Sequence, residues 1–453
     1  MASAGGALRR RSLTLVATCA LVLALPVASA SAHATLVRAA PAALAREASP
    51  PRQVTLTFSE PVQGEIALLD HAGRRVAAAA VRRDRRVAVL ALRRPLAPDS
   101  YTVRYRVISA DAHALAGALT FATGGAPLLP PSGASAAGPS ETGAWAVDAR
   151  FTELAALGLL LALAIFRVLV WGPALAAVPG VTARERAAGH RRHWRAFWCV
   201  LALAGLAEAS VLVVKAALVY GSGVWGSLTT PAAAERLAAS TRFGDLLGLR
   251  GGLLCAIAAV AFWQWARGPE ADERPAPQLA IAALSAVALG LVSAQGHASQ
   301  APLPALSVAF DAVHLGAAAV WIGGLACLVA VLRGAPPALA GAVLRRFSRV
   351  ALGAVVVVGA TGLARAVGEL GGPAQLWATP YGRSLLAKTA LLAPVALLAR
   401  RNRGAVAAFA RDGGQVSAAA IRRVWRDVRA ELAVGAGIVL VASVLVAQVP
   451  GRV

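Results

Sequence analysis

The chain has 453 residues, 58% of them hydrophobic and 15% charged, with a mean hydropathy of +0.64. Its 45 Lys and Arg against 22 Asp and Glu give a formal net charge of +23. This composition excludes a water-soluble globular protein, and the lack of a basic stripe interleaved with aromatics on a polar domain argues against nucleic acid as a partner; cationic membrane loops account for the charge.

Arg9, Arg10 and Arg11 precede an apolar stretch from Leu13 to about Val27, and Ala30-Ser31-Ala32 follows as a small-x-small cleavage site. Residues 1–32 are therefore expected to be a signal peptide. Cleavage after Ala32 leaves His33 with a free α-amine. An uncleaved anchor helix is the alternative.

Residues 33–125 read as an exported all-β domain. Alternating apolar and polar residues predict strands at Val54–Phe58, Glu65–Leu69, Arg86–Leu92, Tyr101–Val107 and Leu119–Phe121. Asp70-His71-Ala72-Gly73 reads as a turn, with His71 a solvated turn residue. Short strands with turn signals about every ten residues predict an immunoglobulin-like sandwich. In Ser109-Ala110-Asp111-Ala112-His113, alternation would put Asp111 and His113 on one face. A polar strand end facing water is the alternative reading of that pair. An N-terminal histidine offers its α-amine and ring Nδ1 as a chelate. With an Asp111 oxygen and a His113 nitrogen, the set suits square-planar copper(II). The only methionine is Met1, so no thioether cluster for copper(I) is expected.

Several stretches of this domain resemble the CopC family: His33-Ala34-Thr35-Leu36, Leu56-Thr57-Phe58-Ser59-Glu60-Pro61-Val62, Tyr101-Thr102-Val103-Arg104-Tyr105, Ser109 to His113, and Gly117. The resemblance implies copper(II) held by His33, Asp111 and His113, with Glu60 beside the site.

Residues 126–144, rich in Pro, Gly, Ser and Ala, read as a flexible linker. An all-α polytopic domain is expected over 145–453. Eight apolar segments fall near 152–171, 197–220, 247–265, 279–295, 308–332, 350–368, 384–400 and 431–449. Arginine concentrates in the loops after the first, third, fifth and seventh segments. The positive-inside rule puts those loops in the cytoplasm, and the β domain on the periplasmic or extracellular side of the cytoplasmic membrane.

His297 ends the fourth segment, and Asp311 and His314 open the fifth at helical spacing. Ionisable groups at membrane depth usually line a cavity or a path. Glu208 and Lys215 share a helix face and read as structural. His190-Arg191-Arg192-His193 reads as a solvated loop, because its arginines repel cations. Cys199, Cys255 and Cys327 sit singly in apolar segments and predict neither a disulfide nor a thiolate site.

Gly296-His297-Ala298, Asp311-Ala312-Val313-His314, Trp321-Ile322-Gly323-Gly324-Leu325, Arg346-Phe347-Ser348, Thr361-Gly362 and Tyr381-Gly382-Arg383 with Lys388 resemble the CopD family. The resemblance implies movement of copper across the cytoplasmic membrane, usually uptake, with His297, Asp311 and His314 as a membrane site. Copper donors outside the membrane are the expected partners. No nucleophile triad or nucleotide motif appears, so a non-enzymatic transporter is expected. Two other readings use the same residues. One is a haem protein, with His297 and His314 as axial ligands, that reduces captured copper. The other is a tethered copper buffer or sensor.

Overall fold

The computed structural model describes residues 36–446 other than 60, 77, 85, 110–113, 132–140, 221–222, 269–273, 297, 299–302, 332–334, 371 and 412–417. Its contacts divide the chain into two compact units. One is Ala28–Ala146 with Ser210–Gly248; the other contains Val147–Ala209 and Leu249–Val453.

The β domain has eight strands: β1 Leu36–Ala40, β2 Arg46–Glu47, β3 Gln53–Phe58, β4 Val62–Leu69, β5 Ala78–Asp84, β6 Val87–Leu92, β7 Asp99–Ser109 and β8 Ala114–Thr123. They form two four-stranded sheets, ordered β1-β3-β6-β5 and β2-β8-β7-β4. Alternation in β3 buries Val54, Leu56 and Phe58. Val103 and Phe121, also fully buried, join the same core. Each such side chain contributes about 1.5–3 kcal/mol on burial. Tyr101 stacks on Phe121 at 5.7 Å, and Phe58 meets Tyr105 edge-on at 5.7 Å. Tyr105 lies opposite Gly117. A Cβ at Gly117 would come within 2.4 Å of the tyrosine ring, so glycine makes room for that aromatic across the ladder.

The strands foreseen by alternation are present, most of them longer. β1, β2 and β5 were not foreseen, because Leu-Val-Arg-Ala-Ala and Ala-Ala-Ala-Val-Arg-Arg-Asp do not alternate and Arg46-Glu47 is only two charged residues. The turn at Asp70 is as expected: Gly73 takes a φ of 77°, and the Ala72 and Arg74 amides donate to Asp70 Oδ1.

His71 Nδ1 lies 2.8 Å from Asp99 Oδ2. Burial pushes the Asp99 carboxyl up, but the hydrogen bonds from the His71 ring, the Ser100 amide and the His71 amide outweigh it and hold the group below its usual range. A carboxylate depressed by folding stabilises the folded state above its unfolded pKa of about 4. That contribution is lost as pH falls through the lower folded value. Thermal unfolding of the β domain should therefore weaken below about pH 4, and Asp99→Asn should flatten that slope. An unchanged acid slope in the variant would remove Asp99 from the account.

The helical part of the chain begins with α1, Glu141–Phe166, which runs through a π segment Arg167–Trp171 into α2, Gly172–Ala177. Then follow α3 Ala183–Tyr220, α4 Gly223–Thr229, α5 Ala232–Ser240, α6 Arg242–Ala266 and α7 Pro275–Ser293. α8, Pro304–Ala318, continues through a second π segment, Ala319–Gly323, into α9, Gly324–Val331. The remainder is α10 Pro337–Glu369, α11 Gln375–Ala378, α12 Pro380–Ala390, α13 Leu392–Arg411 and α14 Ala418–Val446. Eight of the helical stretches among the described residues are long and apolar enough to cross a bilayer, and they coincide with the eight predicted segments. The seventh is divided at Leu391. Pro394 lacks the amide that would bond the carbonyl of Ala390, which ends α12 there.

The π segment of α8–α9 carries Trp321 and Gly323, and Gly324 follows. A Cβ at Gly323 would fall 2.5 Å from the Ala162 Cβ, and one at Gly324 would strike the Phe347 ring. The glycine pair thus lets α1 and α10 close onto this segment. π segments are rare and recur beside functional sites.

Candidate metal centre

His33, Glu60, Asp111 and His113 lie outside the described residues. Leu36 pairs with Phe58, Val62 pairs with Ser109, and Ile108 pairs with Ala114. Because only three residues separate Phe58 from Val62, the start of β1, the end of β3, the start of β4, the end of β7 and the start of β8 share one end of the sandwich. In the sequence, the four candidate residues adjoin these strand ends.

In the membrane unit, His297 also lies outside the described residues, whereas Asp311 and His314 are described. Both are on α8, both are buried, and their spacing of three turns them to one face. Asp311 forms an ion pair with Arg365 of α10. His314 Nδ1 is 2.9 Å from Thr361 Oγ1, also on α10, and Thr361 donates to the Val357 carbonyl at 2.6 Å. The Thr361 proton is thereby committed, so His314 Nδ1 is the protonated nitrogen and donates. Nε2 is left as acceptor, and Lys388 Nζ of α12 stands 3.4 Å from it.

Two of the CopD-like motifs acquire a physical reason here. In Thr361-Gly362 the threonine orients the imidazole, and the glycine leaves it room, since a Cβ there would meet His314 Cε1 at 3.3 Å. Lys388 reaches the same ring from a third helix. Among the described residues no three His, Cys, Asp or Glu side chains form a ligand group. The described site is instead a carboxylate and an imidazole, each facing a basic side chain. A buried carboxylate without a partner is costly, and Arg365 offsets that cost.

A second polar cluster lies within the same unit. Arg250 of α6 is fully buried. Its guanidinium reaches Glu153 of α1 at 2.7 Å, Glu208 of α3 at 2.8 Å and Gln295 after α7 at 2.7 Å. Arg150 adds a contact to Glu153 at 2.7 Å. Glu208 therefore pairs across helices with Arg250, which the sequence reading did not foresee. The available signal was a lone arginine deep in an apolar span, which requires acceptors.

The His190–His193 reading is corrected. These residues belong to α3 and are buried, at 8% and 2% exposure, rather than lying in a solvated loop. His193 packs edge-on against Trp194 at 5.3 Å and against Phe197. The helix extends well below its apolar stretch, and these aromatics supply its packing. Cys199, Cys255 and Cys327 are free thiols.

Residues 36–124 match the CopC domain family. Residues 141–302 match the N-terminal domain of copper resistance protein D-like proteins, and residues 341–445 match copper resistance protein D. The chain is 28% identical over 377 residues to the copper transport protein CutJ of Bacillus subtilis (strain 168). That alignment covers 80% of this chain and spans 65% of the length of CutJ. The crystal structure of CopC from Methylosinus trichosporium OB3b is 33% identical, covering 20% of this chain and 93% of that one, with a TM-score of 0.19. The methionine-rich copper resistance protein PcoC from Escherichia coli is 31% identical, covering 20% of this chain and 99% of that one, also with a TM-score of 0.19. One chain thus joins a β domain that matches CopC to helical segments that match copper resistance protein D and its N-terminal domain, with eight helices long and apolar enough to cross a membrane among the described residues.

Proposed function

We propose that this protein captures copper(II) on the outer side of the cytoplasmic membrane and moves copper inward through its helical unit. Capture falls to the His33 α-amine and ring, Asp111 and His113. Passage uses His297, Asp311 and His314. Glycine- and proline-rich residues 126–140 join the capture domain to the helices, since α1 already starts at Glu141 rather than after residue 144. The distribution of loop arginines supports the orientation, and the resemblance to CopD and the likeness to a copper transport protein support transport.

One observation carries the reading: an imidazole buried in a membrane helix accepts from an ammonium on Nε2. A metal ion needs that same lone pair. Lys388 therefore stands where copper would bind, and the two exclude one another. Two unit charges 4 Å apart repel by about 4 kcal/mol at the effective dielectric of a protein. Copper at His314 must displace Lys388, and the lysine's return favours release.

Copper content of cells with and without the protein, from limiting to moderate copper, tests the function; equal accumulation would count against import. Lys388→Gln tests the site. With the outer ligands removed by Asp111→Ala and His113→Ala, the purified protein should hold copper on the order of 100-fold more tightly when Lys388 is Gln. Competition against a chelator reads this, and unchanged affinity would mean that Lys388 does not contest Nε2.

A further inference from the structure

A cavity of about 460 Å3 lies between α10, α13 and α14. Its walls are apolar along most of their length, with Leu352, Val355 and Val395 among them. Leu352 and Val355 are themselves 42% and 37% exposed. At one end the lining changes to Arg400, Asn402, Arg403 and Glu431. Eight residues of α13 separate Val395 from Arg403, about 12 Å along the axis. Both arginines fall in the last turn of the span Tyr381–Gly404, where the apolar stretch meets water. Apolar walls at acyl depth below two cations at headgroup depth have the proportions of a phospholipid.

Two polar atoms narrow the headgroup. Asn402 Oδ1 is buried and has no hydrogen-bond partner. Among the described residues Glu431, 4% exposed, accepts from two neutral groups, Trp321 Nε1 at 3.4 Å and Asn402 Nδ2 at 3.2 Å. The other buried carboxylates of the membrane unit, Glu153, Glu208, Asp311 and Asp427, each have an arginine within 4 Å. The mouth thus offers two guanidiniums for a phosphate and unfilled acceptor capacity for hydroxyl donors. We propose that this cavity is a binding site for an anionic phospholipid with a hydroxyl-bearing headgroup, of the phosphatidylglycerol kind. One acyl chain lies along α10, the phosphate sits between Arg400 and Arg403, and a glycerol hydroxyl donates to Asn402 Oδ1. A choline headgroup fits poorly, since it brings a cation toward two arginines and has no donor for Asn402. Free phosphate would satisfy the arginines and leave the walls empty.

The full-length protein, reconstituted in nanodiscs of equal phosphatidylglycerol and phosphatidylcholine, is released into detergent and its retained lipid measured by native mass spectrometry. Phosphatidylglycerol should be retained several-fold over its share of the bilayer. Arg400→Gln with Arg403→Gln should return it to that share. Leu352→Trp, which fills the cavity and keeps the arginines, should do the same. Arg401→Gln, outside the cavity lining, should leave the enrichment intact, and inorganic phosphate should not compete. Equal retention of both lipids would overturn the proposal. So would enrichment that survives Leu352→Trp, since the arginines alone would then be holding headgroups. Displacement by inorganic phosphate would assign the mouth to a free anion.

Discussion

Cells carrying His314→Ala should accumulate no more copper than cells lacking the protein, at an unchanged level of protein in the membrane. His314 is buried on α8 and is held by groups from two other helices, Thr361 and Lys388. Alanine removes the imidazole nitrogen that the proposed path uses. It also leaves the Lys388 ammonium in place without the His314 acceptor beside it, so the site keeps its cation and loses its ligand. Thr361→Val separates orientation from ligation. It keeps the side-chain volume, and it frees the ring to turn and Nδ1 to lose its proton. Partners of this kind typically account for 10–100-fold in metal affinity, so an intermediate loss is expected. Radioactive or mass-detected copper uptake at limiting copper reads both variants. Full uptake in His314→Ala would remove this residue from the path.

Arg250→Met should be the most destabilising single change in the membrane unit. It would leave Glu153 and Glu208 buried without their shared cation. Breaking a buried pair by removing one partner costs about 3–5 kcal/mol. Arg150 still reaches Glu153 at 2.7 Å, so Glu208 carries most of the loss. Arg250→Lys should recover little, because an ammonium has no planar fork to reach Glu153, Glu208 and Gln295 together. Adding Glu208→Gln to Arg250→Met should restore part of the stability, since the stranded charge is then gone. Thermal unfolding in detergent measures all three. A wild-type midpoint for Arg250→Met would show that the four-helix junction does not need its cation.

The architecture was legible because two periodicities are strong in this sequence. Runs of about twenty apolar residues marked the eight spans, and alternation in Val54–Phe58 and Tyr101–Val107 marked the central strands, which extend to Gln53–Phe58 and Asp99–Ser109. Where the periodic signal weakens, the reading failed. Ala78–Asp84 is composed of alanines and charges, yet it forms an edge strand because β6 offers it a ladder. His190 and His193 read as solvated from their arginine neighbours, yet Trp194 and Phe197 draw that turn into the core.

The membrane site was legible in part. Spacing alone put Asp311 and His314 on one face, and that face is buried. Their partners were not legible, because Thr361, Arg365 and Lys388 lie 47 to 74 residues away from His314 or Asp311 on two further helices. No local pattern encodes which cation meets which acceptor across a bundle. The same holds for Arg250, whose acceptors Glu153 and Glu208 lie well before it and Gln295 well after it, the nearer two 42 and 45 residues away.

The proposed capture site depends on a covalent detail, the free α-amine of His33, and this makes it directly testable. The full-length protein, with its chain starting at His33, is titrated with copper(II) against a competing chelator and compared with the same protein bearing one additional glycine before His33. The extension keeps the His33 ring, Asp111 and His113 and displaces only the amine. The account predicts that the extended protein binds copper(II) at least ~100-fold more weakly, beyond what loss of a supporting group costs. Equal affinity in the two proteins would contradict it, because the site would then not contain the N-terminal chelate on which capture rests.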